Sequence, residues 1–151
     1  MHIPPHDNHN QPIVDRNDDQ VPLCYFNIVK LKKGESFDYQ VEGYETCIAP
    51  ATGSVDVKVL GKSYDAVGKR NHIWERDPEG VYVPVGAVAT MTCVSEQAEV
   101  FIAGAQHDEV YEPFVVRESD IDPVQYGSDD TKTHRKIKHI LGLSNAGKVG
   151  K

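Results

Sequence analysis

From Val21 onward the chain is divided into short runs in which apolar and polar residues alternate. Leu23-Cys24-Tyr25-Phe26-Asn27-Ile28-Val29-Lys30-Leu31 is dense in β-branched and aromatic residues and stops at Lys32-Lys33-Gly34-Glu35, the composition of a strand followed by a turn. Similar runs occupy 36–40, 45–49, 53–60, 81–84, 88–94 and 99–103, each bounded by Gly, Pro or Asp. In the run 53–60, Val55, Val57 and Val59 alternate with Asp56 and Lys58, which puts the three valines on one face of a strand. No long helical period intervenes. Short strands at this spacing predict an all-β fold, an antiparallel double sheet closed as a sandwich or barrel.

The two ends differ from this core. Residues 1–20 are rich in His, Asn, Asp and Pro and offer too little apolar surface to offset the entropy of ordering, so a flexible arm is expected there. After Ala105 the alternation fades, returns over 113–117, and gives way to an acidic stretch with Gly and Ser from Asp120 to Asp130. His134-Arg135-Lys136-Ile137-Lys138-His139-Ile140-Leu141 then alternates cations with apolar groups, as an edge strand does. The expected organisation is an arm over 1–20, one folded domain over 21–118, and a linker with an edge strand over 119–151. A chain of 151 residues accommodates one such core.

Composition narrows the partners. Hydrophobic residues are 39% and charged residues 26% of the chain, the balance of a soluble globular protein. Apolar runs are too short for a membrane span, and Met1-His2-Ile3-Pro4-Pro5 lacks the cationic start and apolar stretch of a secretory signal. A cytoplasmic setting is the expectation. Cys24, Cys47 and Cys93 are odd in number and far apart, which reads as buried thiols and not as a disulfide framework. A net charge of −7 opposes binding to nucleic acid, and the one basic cluster is Lys132 to Lys138.

Two stretches carry the chemistry. Gly34 through Glu45 to Gly53, and Pro84-Val85-Gly86-Ala87-Val88-Ala89, resemble the paired motifs of the cupin fold, a double-stranded β-helix. In cupins the first motif supplies a His-x-His pair and a Glu, and the second a further His. Here the pair falls near Tyr39 and Val41, the final slot holds Ala89, and Glu45 is the single surviving carboxylate. A divalent ion needs several donors at roughly 2.0–2.2 Å, so no metal and no other cofactor is expected in this barrel.

A narrower resemblance lies in Cys47-Ile48-Ala49-Pro50-Ala51-Thr52-Gly53-Ser54-Val55-Asp56-Val57, in Tyr82-Val83-Pro84-Val85-Gly86 and in Arg135 to Gly142. These segments resemble the first half of bacterial 5-deoxyglucuronate isomerases, bicupin enzymes of myo-inositol breakdown that interconvert an aldose acid and a ketose acid. Asn145 to Gly150 is similar to their mid-chain join. The resemblance implies a divalent metal in a second cupin beyond Lys151, which would polarise a carbonyl during proton transfer. It also implies that this half is inactive alone and serves as scaffold and interface for that second cupin. The rival reading is a free-standing degenerate cupin that binds a small sugar acid or assembles as a homo-oligomer. A third is a metal-independent isomerase with Glu45 as a buried base, its pKa raised by desolvation.

Other side chains are weaker candidates. His72, with Arg70 or Arg76 as a carboxylate clamp, could face a sugar acid. The preferred reading of that segment is a surface loop anchored by a buried Trp74. His2, His6 and His9 have helical metal spacing, but Pro4 and Pro5 prevent the helix. His107 beside Asp108 and Glu109 could be a carboxylate-oriented imidazole, though a solvated turn suffices. For His134, Arg135, Lys136 and Lys138 two readings stand, a face toward a second domain or a charged guard on an edge strand. Ser54, Ser63 and Ser95 lack triad partners, and no phosphate-binding Gly loop occurs.

Overall fold

Alternation drives the architecture, a cupin-type β-barrel of two antiparallel sheets. The structure, a computed structural model, describes residues 7–150. Ten strands follow in chain order: β1 (Cys24–Lys32), β2 (Ser36–Tyr39), β3 (Tyr44–Val59), β4 (Lys62–Arg70), β5 (Gly80–Val83), β6 (Ala89–Cys93), β7 (Gln97–Gln106), β8 (Phe114–Val116), β9 (Val124–Tyr126) and β10 (Arg135–Ile137). One sheet runs β1-β7-β3-β5-β8; the other joins β2 to β6, β6 to β3 and β3 to β4. β9 and β10 form a separate exposed hairpin.

β3 belongs to both sheets. Its first half pairs with β7, Ile48 opposite Ile102, and with β5. Its second half pairs with β6, Val57 opposite Met91, and with β4. The runs 45–49 and 53–60, read above as two strands, are therefore one strand of 16 residues. The stretch between those runs is an irregularity inside it, with a register shift between Pro50 and Thr52. Gly53 sits there at φ +77, and a Cβ on it would run into Gln97 O and lie 2.8 Å from Ala98 Cα. That close approach admits only glycine and lets the strand bend from one sheet to the other.

β4 escaped the pattern because its residues are mostly polar; only Val67 among its larger apolar groups is fully buried. The interior is filled by Val29, Leu31, Ile48, Val55, Val57, Val59, Val81, Val83, Met91, Val100 and Ile102, all in one cluster. A close-packed aliphatic interior of this kind is the main source of stability.

The N-terminal segment departs from the expected loose arm where it is described. Asn8 donates to Asn27 Oδ1 and Ile28 O at 2.9 Å each, and Asn27, fully buried, donates to Asn10 O at 3.0 Å. Phe26 N donates to Val14 O at 2.9 Å. Buried amide hydrogen bonds thus hold 8–14 against β1, an ordering that low apolar content does not forbid. His2 and His6 lie outside the described residues, and His9 is exposed with a side chain 3.8 Å from Asp7. The cysteines also differ from one another: Cys93 is buried, but Cys24 is exposed because it falls on the outer phase of β1. Among the described residues no helix is long and apolar enough to cross a membrane.

One buried charge ties β4 to the ends of β5 and β8. Glu79, 1% exposed, accepts from Gly68 N at 3.0 Å and from Arg117 Nη1 at 2.9 Å, with Lys69 Nζ at 3.6 Å. Arg117 also donates to Asp65 O and Ala66 O at 2.8 and 3.2 Å. Burial alone pushes the Glu79 carboxyl up, but the Gly68 amide and the Arg117 and Lys69 charges outweigh it and hold it below the usual range. A depressed carboxyl adds stability above its unfolded pKa, and that stability is lost as pH falls through the folded value. Arg117→Ala is therefore expected to cost roughly 3 kcal/mol in urea unfolding at neutral pH, by leaving a buried charge without its partner. Acidification below the usual carboxylate range should shrink the difference between wild type and variant.

Candidate functional site

The residues in the cupin motif slots do come together. Tyr39 on β2 stands directly opposite Ala89 on β6, and Tyr39, Val41 and Ala89 all belong to the buried core. What they present to the interior is a phenol, an isopropyl group and a methyl. The phenol is engaged: Tyr39 Oη and Thr46 Oγ1 are 2.7 Å apart in the buried interior. Burial pushes the Tyr39 hydroxyl well above its usual range, against the lowering effect of the Thr46 hydrogen bond, so it stays neutral. These side chains do not fit a divalent ion, which calls for imidazole and carboxylate donors. Among the described residues no three His, Cys, Asp or Glu side chains gather where they could hold one.

Glu45 is not in the barrel. Along β3 the buried positions are Tyr44, Thr46 and Ile48, while Glu45 and Cys47 take the opposite phase. Strand geometry therefore puts Glu45 on the outer face of the sheet, where the desolvated interior base of the third reading cannot form. Its carboxylate accepts from Tyr82 Oη at 2.8 Å and from Gly150 N at 2.9 Å. Burial, and then the hydrogen bond to Glu45, push the Tyr82 hydroxyl up. Burial likewise pushes the Cys47 thiol up to about 12, which keeps it protonated and unreactive.

The remaining candidates are dispersed. His72 and Trp74 lie on an exposed loop, and Trp74 is 87% exposed, so it does not anchor that loop as expected. Glu75 fills this role by accepting from Asn71 N at 2.6 Å. Arg76 is paired with Glu118 at 3.0 Å, and Arg70 donates to Ala51 O at 2.9 Å; no carboxylate clamp forms with His72. His107 stacks on Tyr111 with centroids 5.8 Å apart, and Glu109 accepts from Tyr111 instead of orienting the imidazole. His134 pairs with Asp129 at 2.8 Å, and Lys138 pairs with Asp77. A groove of about 680 Å³ lies outside the barrel, between β8 and the 144–148 segment, with Phe114, Tyr111, Ser144 and Lys148 on its walls. Sequence reading gave no sign of it because its two sides are about 30 residues apart.

The sequence profile of the KduI/IolB family matches residues 2–151. The chain belongs to the KduI/IolB family. Among its relatives, the 5-deoxy-glucuronate isomerase of Listeria monocytogenes serotype 4b is 24% identical over 132 residues, which cover 85% of this chain and 48% of that protein. The isomerase of Listeria innocua is 22% identical over 139 residues, 89% of this chain and 51% of the relative. The chain thus spans about half the length of the curated relatives it matches. Among solved structures, an IolB-like protein from Salmonella typhimurium superposes with a TM-score of 0.78 at 20% identity, covering 89% of this chain and 50% of that one. A Pseudomonas aeruginosa protein named for glyoxylate induction gives 0.63 at 16% identity, over 95% and 53% of the two chains. At these identities the superpositions speak for the fold.

The interior hydroxyl pair yields a test within this family member. Tyr39→Phe removes one partner and leaves the Thr46 hydroxyl buried, an expected cost of about 1–3 kcal/mol in denaturant unfolding. Tyr39→Phe combined with Thr46→Val removes both hydroxyls and should recover most of that loss. Additive losses would show that the two hydroxyls do not satisfy one another.

Proposed function

We propose that this chain is the N-terminal, non-catalytic cupin of a 5-deoxyglucuronate isomerase, and that it serves as scaffold and interface for a second, metal-binding cupin. The observation that carries the reading is the content of the motif slots. Tyr39, Val41 and Ala89 occupy them, and the nearest interior polar groups are spent on each other in the Tyr39–Thr46 hydrogen bond. Relatives named as isomerases are about twice as long as the matched segment, which leaves room in them for a second domain. The proposed reaction interconverts an aldose acid and a ketose acid in the cytoplasm during myo-inositol breakdown. A divalent ion in the second cupin supplies carbonyl polarisation when bound. This chain's residues take no proton in the reaction; their contribution is a rigid sheet against which the second domain packs.

A second reading keeps one observation in its favour. The groove beside β8 offers an aromatic wall, a hydroxyl and the Lys148 cation, with the carboxylates of Glu112 and Asp120 also on its walls, and its volume falls in the range of ligand clefts of roughly 300–1,000 Å³. A free-standing binder of small sugar acids would use it.

The test is an assay of 5-deoxyglucuronate interconversion by the purified chain, run with elemental analysis beside a full-length family member. The expected outcome is no turnover and no stoichiometric metal in the chain, with both present in the full-length protein. Turnover by the chain after chelation would overturn the scaffold reading. Saturable glucuronate binding, lost on Lys148→Ala, would favour the second.

A further inference from the structure

The outer face of the five-stranded sheet carries a cluster that the barrel does not use: Glu45, Tyr82, His107 and Tyr111. Glu45 Oε2 takes two donors, Tyr82 Oη at 2.8 Å and the backbone N–H of Gly150 at 2.9 Å. The second bond spans 105 residues and joins the start of β3 to the last described position of the chain. The fit around Gly150 is tight. A Cβ there would run into Glu45 Oε1 and lie 2.8 Å from His107 Cγ, so a side chain at position 150 would require Glu45 and His107 to shift. His107 forms one wall, held by its stack on Tyr111, and its Nε2 is buried without a hydrogen-bond partner among the described residues. Upstream, Leu141 lines a depression with Cys47, Ala103 and Ala105, and Ile140 packs over Gly80. Small residues on the sheet thus leave space for the two apolar side chains of the segment.

We infer that this outer face is a receptor for the chain's own 140–150 segment, and that Glu45 is its positioning residue, a charged clasp that grips Gly150. The carboxylate does not act on substrate. A carboxylate accepting a backbone N–H and a phenol forms two charge-assisted bonds, the stronger class of hydrogen bond. The clasp sets where the chain leaves the barrel. Its consequence rests on the scaffold reading: a second cupin entered after Gly150 would be held in a fixed direction relative to the first. The clasp itself is a property of this chain and is tested without any assay of activity.

The experiment is amide NMR of the full 151-residue chain in wild type, Glu45→Ala, Glu45→Gln and Gly150→Ala. In wild type the Gly150 amide should resonate downfield and exchange at least about tenfold more slowly than an open amide. Glu45→Ala and Gly150→Ala should each bring the residue 150 amide to the open-chain rate, and Glu45→Gln, which keeps an acceptor oxygen, should retain part of the protection. Amides of Val81 and Val83 serve as the folding control and should not change. An unprotected Gly150 in the wild type, or protection that survives Glu45→Ala with the control intact, would overturn the clasp. Loss of isomerase-type turnover in a full-length relative would bear on the scaffold reading alone.

Discussion

β3 runs through both sheets, and its alternation decides which side chains are core and which are surface over the whole barrel. Tyr44, Thr46 and Ile48 point inward in its first half, and Val55, Val57 and Val59 do so in its second. Keeping the inward phase on both sides of the bend requires an irregularity between them, which Pro50 to Gly53 provide. A shift of one residue would turn every one of these side chains to the other face. Glu45 shows the result most directly. It is adjacent in sequence to the interior Thr46 and lies on the outside for that reason alone.

Closure of the barrel on its less regular side depends on charge. β4 is short of apolar residues and irregular in register, so aliphatic packing cannot hold it as it holds β7. Glu79 and Arg117 do this work through Gly68 N, Asp65 O and Ala66 O, tying β4 to the ends of β5 and β8. Glu79 Oε2 takes both hydrogen bonds, while Oε1 has no hydrogen-bond partner among the described residues and only the Lys69 charge at 3.6 Å to offset its burial.

The alternating strands were legible because half-buried sheets write a period of two into the chain. The valines of β3 and the β-branched run of β1 fall where expected. β4 was not legible, since Lys62 to Arg70 is polar and its place is fixed by pairing with β3 and by Glu79, neither of which is local. The docking of 8–14 was hidden for the same reason: Asn8 and Asn10 read as loop residues until Asn27, 17 residues beyond Asn10, supplies their partners. Tyr39, Val41 and Ala89 could be named from the Gly and Pro that flank them, and the fold places all three in the core. The outward side of Glu45 was not legible, since a step of one residue along a strand reverses the face.

Motif slots that carry no imidazole or carboxylate change what the barrel is suited to do. Cupin chemistry needs a polar, hydrated mouth, and polar side chains inside a barrel loosen its packing. Here the slots are filled by core residues and by one neutral hydroxyl pair, so the interior contributes stiffness. The polar groups left over stand on the outer face, Glu45 with Tyr82 and His107, where the chain's last segment lies. On that face Glu45 accepts from Tyr82 Oη and from the Gly150 amide, so the outer side of the sheet carries the 140–150 segment while the inner side carries the core. That is a distinct use of the fold, and it follows from the same alternation that emptied the interior.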